Sequence, residues 1–186
     1  MTVPTTATSI PGYVAGKWTI DPVHSEVGFS VRHMMVSKVR GKFDTFSGEL
    51  VTGEDPLSSS VTAEIELSSI NTGNEQRDAH IRSADFFEVE KHQKMTYRST
   101  GVRAVDGEYV LDGELTLKDV TRSVPLKLDL NGFGPDPYGG TRAGFTATGE
   151  INRSDFGVNF GLGEGGGVVV SDKVTLQLEI EAVLAS

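Results

Sequence analysis

Apolar and polar residues alternate one by one through most of this chain. Val27, Phe29 and Val31 alternate with Gly28, Ser30 and Arg32, and Val61, Ala63, Ile65 and Leu67 with Thr62, Glu64 and Glu66. The same period recurs from Leu111 to Leu117, Val124 to Leu130, Ala143 to Ala147 and Val174 to Ala182, with weaker runs at Phe43 to Val51 and Met95 to Thr100. A period of two belongs to a strand that buries one face and wets the other. Parallel strands covered on both faces would read as continuous apolar runs, so the pattern predicts an all-β fold of about eight antiparallel strands. A one-sided sheet must stack on another or close on itself, and closure also removes its edges. The alternation leaves barrel and sandwich both open.

Composition narrows the class. A chain of 186 residues makes one domain, and 22 glycines suit frequent turns. A hydrophobic share of 37% rules out wholesale disorder, and no run approaches the ~20 apolar residues of a membrane helix. The absence of cysteine excludes disulfides, thiolate metal sites and cysteine nucleophiles. With 17 basic and 26 acidic residues the net charge is -9, which opposes nucleic-acid binding. Met1 to Gly16 is rich in Thr, Pro and Gly and lacks the basic and apolar regions of a secretory signal. It reads as a flexible tail, 1–16, ahead of one domain spanning 17–186, and the location expected on this reading is cytoplasmic.

One segment departs from period two. Thr72 and Glu75 have capping-box spacing, predicting a short helix over about 74–83 with His80, Ala84 and Phe87 inward, Ile81 flanking, and Phe86 and Phe87 at its exit. Gly161, Gly163 and Gly166 match a dinucleotide fingerprint, but a strand rather than a helix follows, so they read as a mobile loop. Asp155-Phe156-Gly157 lacks every other kinase element, and no Gly-x-Ser-x-Gly elbow occurs. His24, His33, His80 and His92 show no metal-ligand spacing, and Asp78 and His80 fall on different helix faces. Between Glu26 and Asp44 there is no acid, while Arg32, His33, Lys38, Arg40 and Lys42 surround Met34, Met35 and Val36. Adaptable thioethers beside cations suit an apolar chain with an anionic or polar head. Phe29, Phe43, Phe46, Tyr97 and Phe145 fall on or near the apolar strand faces, where an eight-stranded barrel has room for packed side chains or one slim ligand.

Five ordered blocks are similar to the YceI-like family of polyisoprenoid-binding proteins. These are Trp18-Thr-Ile-Asp21-Pro-Val-His24-Ser25 with Val27-Gly-Phe29-Ser-Val-Arg-His33; Gly41-Lys-Phe43 with Phe46-Ser-Gly48; Arg77-Asp78-Ala-His80-Ile-Arg-Ser83-Ala-Asp85-Phe86-Phe87; Gly113-Glu-Leu115-Thr116-Leu with the turn Val120-Thr121-Arg122; and Arg153-Ser-Asp155-Phe156-Gly157. The likeness runs from Lys17 to Leu184. Departures are His92-Gln93 in place of an aromatic-proline pair, Asp119 in place of a glycine, and the lack of a secretion signal. Asp tolerates a left-handed turn, so the fold is not endangered. The resemblance implies an antiparallel lipocalin-like barrel whose bore holds a long-chain isoprenoid lipid. It implies no catalytic residues, no metal and no cofactor beyond the lipid, and a homodimer. The expected lining is Phe29, Val31, Met34, Phe43, Phe46, Phe86, Phe87, Tyr97, Phe145 and Phe156, with Arg32, His33 and Arg40 at the head-group end. The leading expectation is a soluble carrier or store for a polyisoprenoid or prenylated quinone-like lipid. The alternatives are an enzyme for an apolar substrate, using His80 with Asp78 or Asp155, and a structural barrel with a filled core.

Overall fold

The computed structural model describes residues 10–34, 36–162 and 170–185. Within them lie β1 (Gly16–Ile20), β2 (Glu26–His33), β3 (Ser37–Phe43), β4 (Phe46–Thr52), β5 (Ser60–Glu66), β6 (Ile70–Asn71), α1 (Glu75–Arg82), β7 (Lys94–Val105), β8 (Glu108–Leu117), β9 (Val120–Ser123), β10 (Leu126–Pro135), β11 (Thr141–Asn152) and β12 (Lys173–Leu184). Every ladder is antiparallel, and β1 pairs with both β4 and β12, which closes the sheet on itself. Closure decides between the two architectures that alternation left open.

Twelve strands make eight staves because four staves are broken. Both β1 and β2 run against β12, at Leu184 and at Thr175 respectively, so they are two lengths of one stave. In the same way β4 and β3 face β1 and β2, β5 and β6 face β4 and β3, and β9 and β10 both face β8. The end carrying Trp18 and Leu184 is called upper, and the end carrying Lys173 and the β2–β3 hairpin lower. Twelve residues of β12, at ~3.3 Å each and a tilt near 40°, give a bore about 30 Å long.

Breaks in the staves keep the correct faces inward. Val124, at the β9–β10 break, donates its N–H to the Gly113 carbonyl, so Val124, Leu126, Leu128 and Leu130 all face the bore as the alternation predicts. A bulge between Leu130 and Gly132 then shifts the phase, and Phe133 rather than residue 132 points inward. The turn before β9 is Lys118-Asp119, both left-handed, and Val120 to Arg122, expected as a turn, are strand. Asp119 thus adopts a left-handed conformation, which aspartate tolerates.

The helix stands where predicted but is capped differently. Asn74 Oδ1 accepts the Arg77 N–H at 2.9 Å and Glu75 is the first helical residue, so no capping box forms. Thr72 lies outside the cap and gives its N–H to the Asp78 carboxylate at 3.0 Å. Asp78 is the buried residue of α1 and Ile81 packs on the core; His80 and Phe87 of the expected inner stripe turn to the interior, but Ala84 is exposed beyond the helix end. Residues 10–16 are also less free than a tail. Tyr13 donates from its hydroxyl to the Gly53 carbonyl at 2.7 Å and packs edge-on to Phe133, while Gly16 opens β1. Residues 1–9 lie outside the described residues, as do Gly163 and Gly166 of the glycine-rich loop.

Candidate functional site: an apolar bore with a cationic end

The inward faces of the staves do not meet. They enclose a cavity of about 650 Å³ whose lining extends from Tyr13, Leu130 and Phe133 at the upper end to Phe160 and Val170 at the lower. A filled core is thereby excluded. Part of the space exists because aromatic rings lie flat against strand glycines. A Cβ on Gly41 would clash with the outer edge of the Phe29 ring, and one on Gly113 with the phenol end of Tyr97. Tyr97 is further fixed by donating its hydroxyl to the Val124 carbonyl at 2.9 Å, and burial pushes its phenol above the ordinary range. The rings are held against the wall instead of crossing the bore.

The lining is chemically polarised. Among its described residues there is no Asp or Glu, and its cationic or potentially cationic members, His33, Arg77, His80 and Arg153, all lie at the lower end. Arg153 is buried in the turn that follows β11 and donates to three carbonyls: Nε to Ser171 at 2.9 Å, Nη1 to Val158 at 3.0 Å and Nη2 to Val170 at 2.8 Å. Its guanidinium also lies over the Phe86 ring, 5.9 Å from the centroid. Among the described residues three of its five N–H donors find partners. Desolvation lowers its pKa, opposed in part by the charge of the nearby Asp172 carboxylate. Arg77 donates to the Thr72 hydroxyl and carbonyl, both at 2.7 Å, and His80 Nε2 lies 2.8 Å from Asp85 Oδ2 while its ring stacks edge-on against Phe86 and Phe160.

Of the residues expected in the lining, Phe29, Val31, Phe43, Phe46, Phe86, Phe87, Tyr97 and Phe145 are there, and so is His33 from the expected head-group set. Met34 is not: it sits at the β2–β3 hairpin tip with left-handed φ, 61% exposed. Phe156 is enclosed in the larger core cluster outside the lining. Arg32 and Arg40 take the outer face, because odd residues of β2 point inward and Arg32 and Ser30 pair with Lys38 and Arg40. Arg77, Arg153 and Phe160 were missed, since they come from a helix and turns in which period two carries no information. Asp78 and Asp155, the carboxylates of the enzyme alternative, do not line the cavity.

A second charged cluster lies at the upper end. Asp21, His24 and Glu181 bring one ligand-type atom each within 4.8 Å of one another. Arg142 occupies this cluster, with Nη1 at 2.9 Å from Asp21 and 2.8 Å from Glu181, and Nε at 3.1 Å from Asp136. His24 and Arg142 hold the Asp21 carboxyl down to about 2, and the N–H groups of Gly140 and Tyr138, with Arg142, lower that of Asp136. This is a closed ion-pair network.

Comparison with known proteins gives one answer. The YceI-like domain model matches residues 18–182. Protein YceI of Escherichia coli O157:H7 is 37% identical over 173 residues, covering 91% of this chain and 88% of that protein. The crystal structure of BcnA from Burkholderia cenocepacia superposes with a TM-score of 0.76 at 22% identity, over 87% of this chain and 98% of that one. A polyisoprenoid binding domain from Saccharophagus degradans, implicated in plant cell wall breakdown, gives 0.67 at 17% identity, over 90% and 98%.

Proposed function

The chain belongs to the YceI-like family, and from that premise we propose that it carries or stores a polyisoprenoid or prenylated quinone-like lipid. The observation that carries the reading is the bore itself: about 650 Å³, apolar along its length, with cations at one end only. Such a site grips by area. Each buried methylene contributes about 0.8 kcal/mol, so some fifteen carbons supply roughly 12 kcal/mol against association costs of about 4–15 kcal/mol. His33, Arg77, His80 and Arg153 then suit a head rich in acceptor oxygens or negative charge at the lower end. The polyisoprenoid-binding description of the Saccharophagus degradans domain supports the same ligand class. An enzyme would require an acid and a base converging on the substrate; the described lining holds His33, Arg77, His80 and Arg153 but no carboxylate, and Asp85, bonded to His80, stands outside it.

Protein purified without detergent and denatured in a mass spectrometer should release an isoprenoid. An Ala147→Trp variant, which fills the bore from β11, should release none while keeping its strand spectrum. A wild-type protein that releases no lipid and binds no hydrophobic probe displaceable by a polyprenyl phosphate would overturn the reading.

A further inference from the structure

The β2–β3 hairpin carries a feature that the bore does not use. Met34 and Val36, at its tip, are 61% and 82% exposed. Behind them Arg32, Lys38, Arg40 and Lys42 all project from the outer face, and Arg32 is directly opposite Lys38 across the ladder. Like charges facing each other across two strands repel, and among the described residues only Lys42 has a carboxylate within 4.0 Å, Asp44 at 3.9 Å. In a chain of net charge -9 this strip is the opposite of the average surface. The hairpin also borders the cationic end of the bore: His33, Ser37 and Val39 line the cavity, and His33 bridges to Val170.

We propose that this hairpin docks the protein onto an anionic lipid bilayer, with Met34 and Val36 entering the interface and Arg32, Lys38 and Arg40 against the head groups. Apolar side chains at a turn tip with cations two to four residues behind them match the depth profile of a membrane interface, apolar inside and anionic outside. A nucleic acid would satisfy the cations but not the tip, and an apolar protein groove would satisfy the tip but not the cations. Docking sets the lower end of the bore against the bilayer, where a lipid can pass between the two. That purpose rests on the carrier reading, whereas the docking itself does not.

Because the chain has no cysteine, Val36→Cys and Tyr138→Cys each accept one environment-sensitive dye, at the hairpin tip and at the opposite end. With vesicles of phosphatidylglycerol and phosphatidylcholine at low salt, the dye at 36 should shift to the blue and the dye at 138 should not. Pure phosphatidylcholine vesicles should bind weakly. The double variants Met34→Ser/Val36→Ser and Lys38→Glu/Arg40→Glu should each partition at least about tenfold less, while a fluorescent polyprenyl probe in solution still enters the bore. The proposal is overturned if anionic vesicles do not bind, if both variants bind like the parent, if the dye at 138 moves instead, or if heparin competes fully and the dye at 36 never shifts. Vesicle binding without probe binding would sink the carrier reading and leave docking standing; the reverse would sink docking alone.

Discussion

At the upper end of the barrel, Arg142 sits among Asp21, Asp136 and Glu181, each within 3.1 Å. At the lower end, Arg153 is held by three carbonyl oxygens and an aromatic face, with no carboxylate among its hydrogen-bond partners in the described residues. Both arginines are anchored, but only the first is hydrogen-bonded to carboxylates; Asp172 acts on Arg153 through space alone. Carbonyls satisfy donors without cancelling charge, so Arg153 keeps its attraction for an anion while losing the freedom to search for one. The contrast extends to the walls. Trp18, Ala143, Phe145 and Ala182 pack tightly above, whereas below the lining ends in His33, His80 and a Phe160 that is 46% exposed. Both ends contribute to the core, but the lining carries its cationic side chains at the lower end and the neutralised ion-pair network stands at the upper.

The largest effect should come from the upper end. Trp18 is fully enclosed and donates from Nε1 to Thr52 Oγ1 at 2.8 Å. Trp18→Ala should cost about 3–5 kcal/mol by denaturant titration, the usual range for emptying so large a buried site. If upper and lower ends are separate in function, the folded fraction of this variant should still bind a hydrophobic probe within a few-fold of the parent. A variant that folds fully and cannot bind would erase the division of labour.

Arg153→Met tests the other half and should be smaller in stability, about 2 kcal/mol, because three carbonyls lose a donor but water reaches part of the site. Its signature is selectivity. Affinity for an anionic-headed prenyl lipid should fall about tenfold or more, while that for the corresponding uncharged alcohol changes little, since hydrogen bonds to charged groups are worth roughly 1.5–3 kcal/mol. Equal losses for both lipids would mean that Arg153 only holds the turn together.

The two ends were not equally legible in the sequence. The staves follow from period two because each strand has one wet face, and that rule placed Phe29, Phe43, Phe46, Tyr97 and Phe145 in the wall correctly. It also carried the information that puts Arg32 and Arg40 outside, one residue out of phase with Val31 and Val39. Closure was not written in the alternation, because it depends on β1 pairing with two strands distant in sequence. Arg153 and Arg77 were invisible to any periodicity, as they approach the bore from a turn and a helix. The upper network was hidden for a related reason: Asp21, Arg142 and Glu181 lie on three different segments, and nothing local distinguishes a paired acid from a solvated one.

That network supplies the smallest and sharpest prediction. Asp21 has its carboxyl held to about 2, first by the hydrogen bond from His24 and then by Arg142, against an ordinary value of 3.8. A carboxylate whose folded pKa is depressed stabilises the fold fully above its unfolded value and loses that contribution as pH falls toward the folded one. The window is therefore about pH 4 down to about pH 2. Its size is at most roughly 2 kcal/mol, since each unit is worth about 1.4 kcal/mol and the side chain is not wholly shielded from solvent. Asp21→Asn should thus lower the urea midpoint by a constant amount above about pH 5, and the gap from the parent should close as both are taken to pH 2. Glu181 and Asp136 still face Arg142 in the variant, so the gap should be smaller than the full pairing energy. A gap that persists unchanged to pH 2 would assign Asp21 to packing, and the upper end would no longer differ from the lower in how its arginine is used.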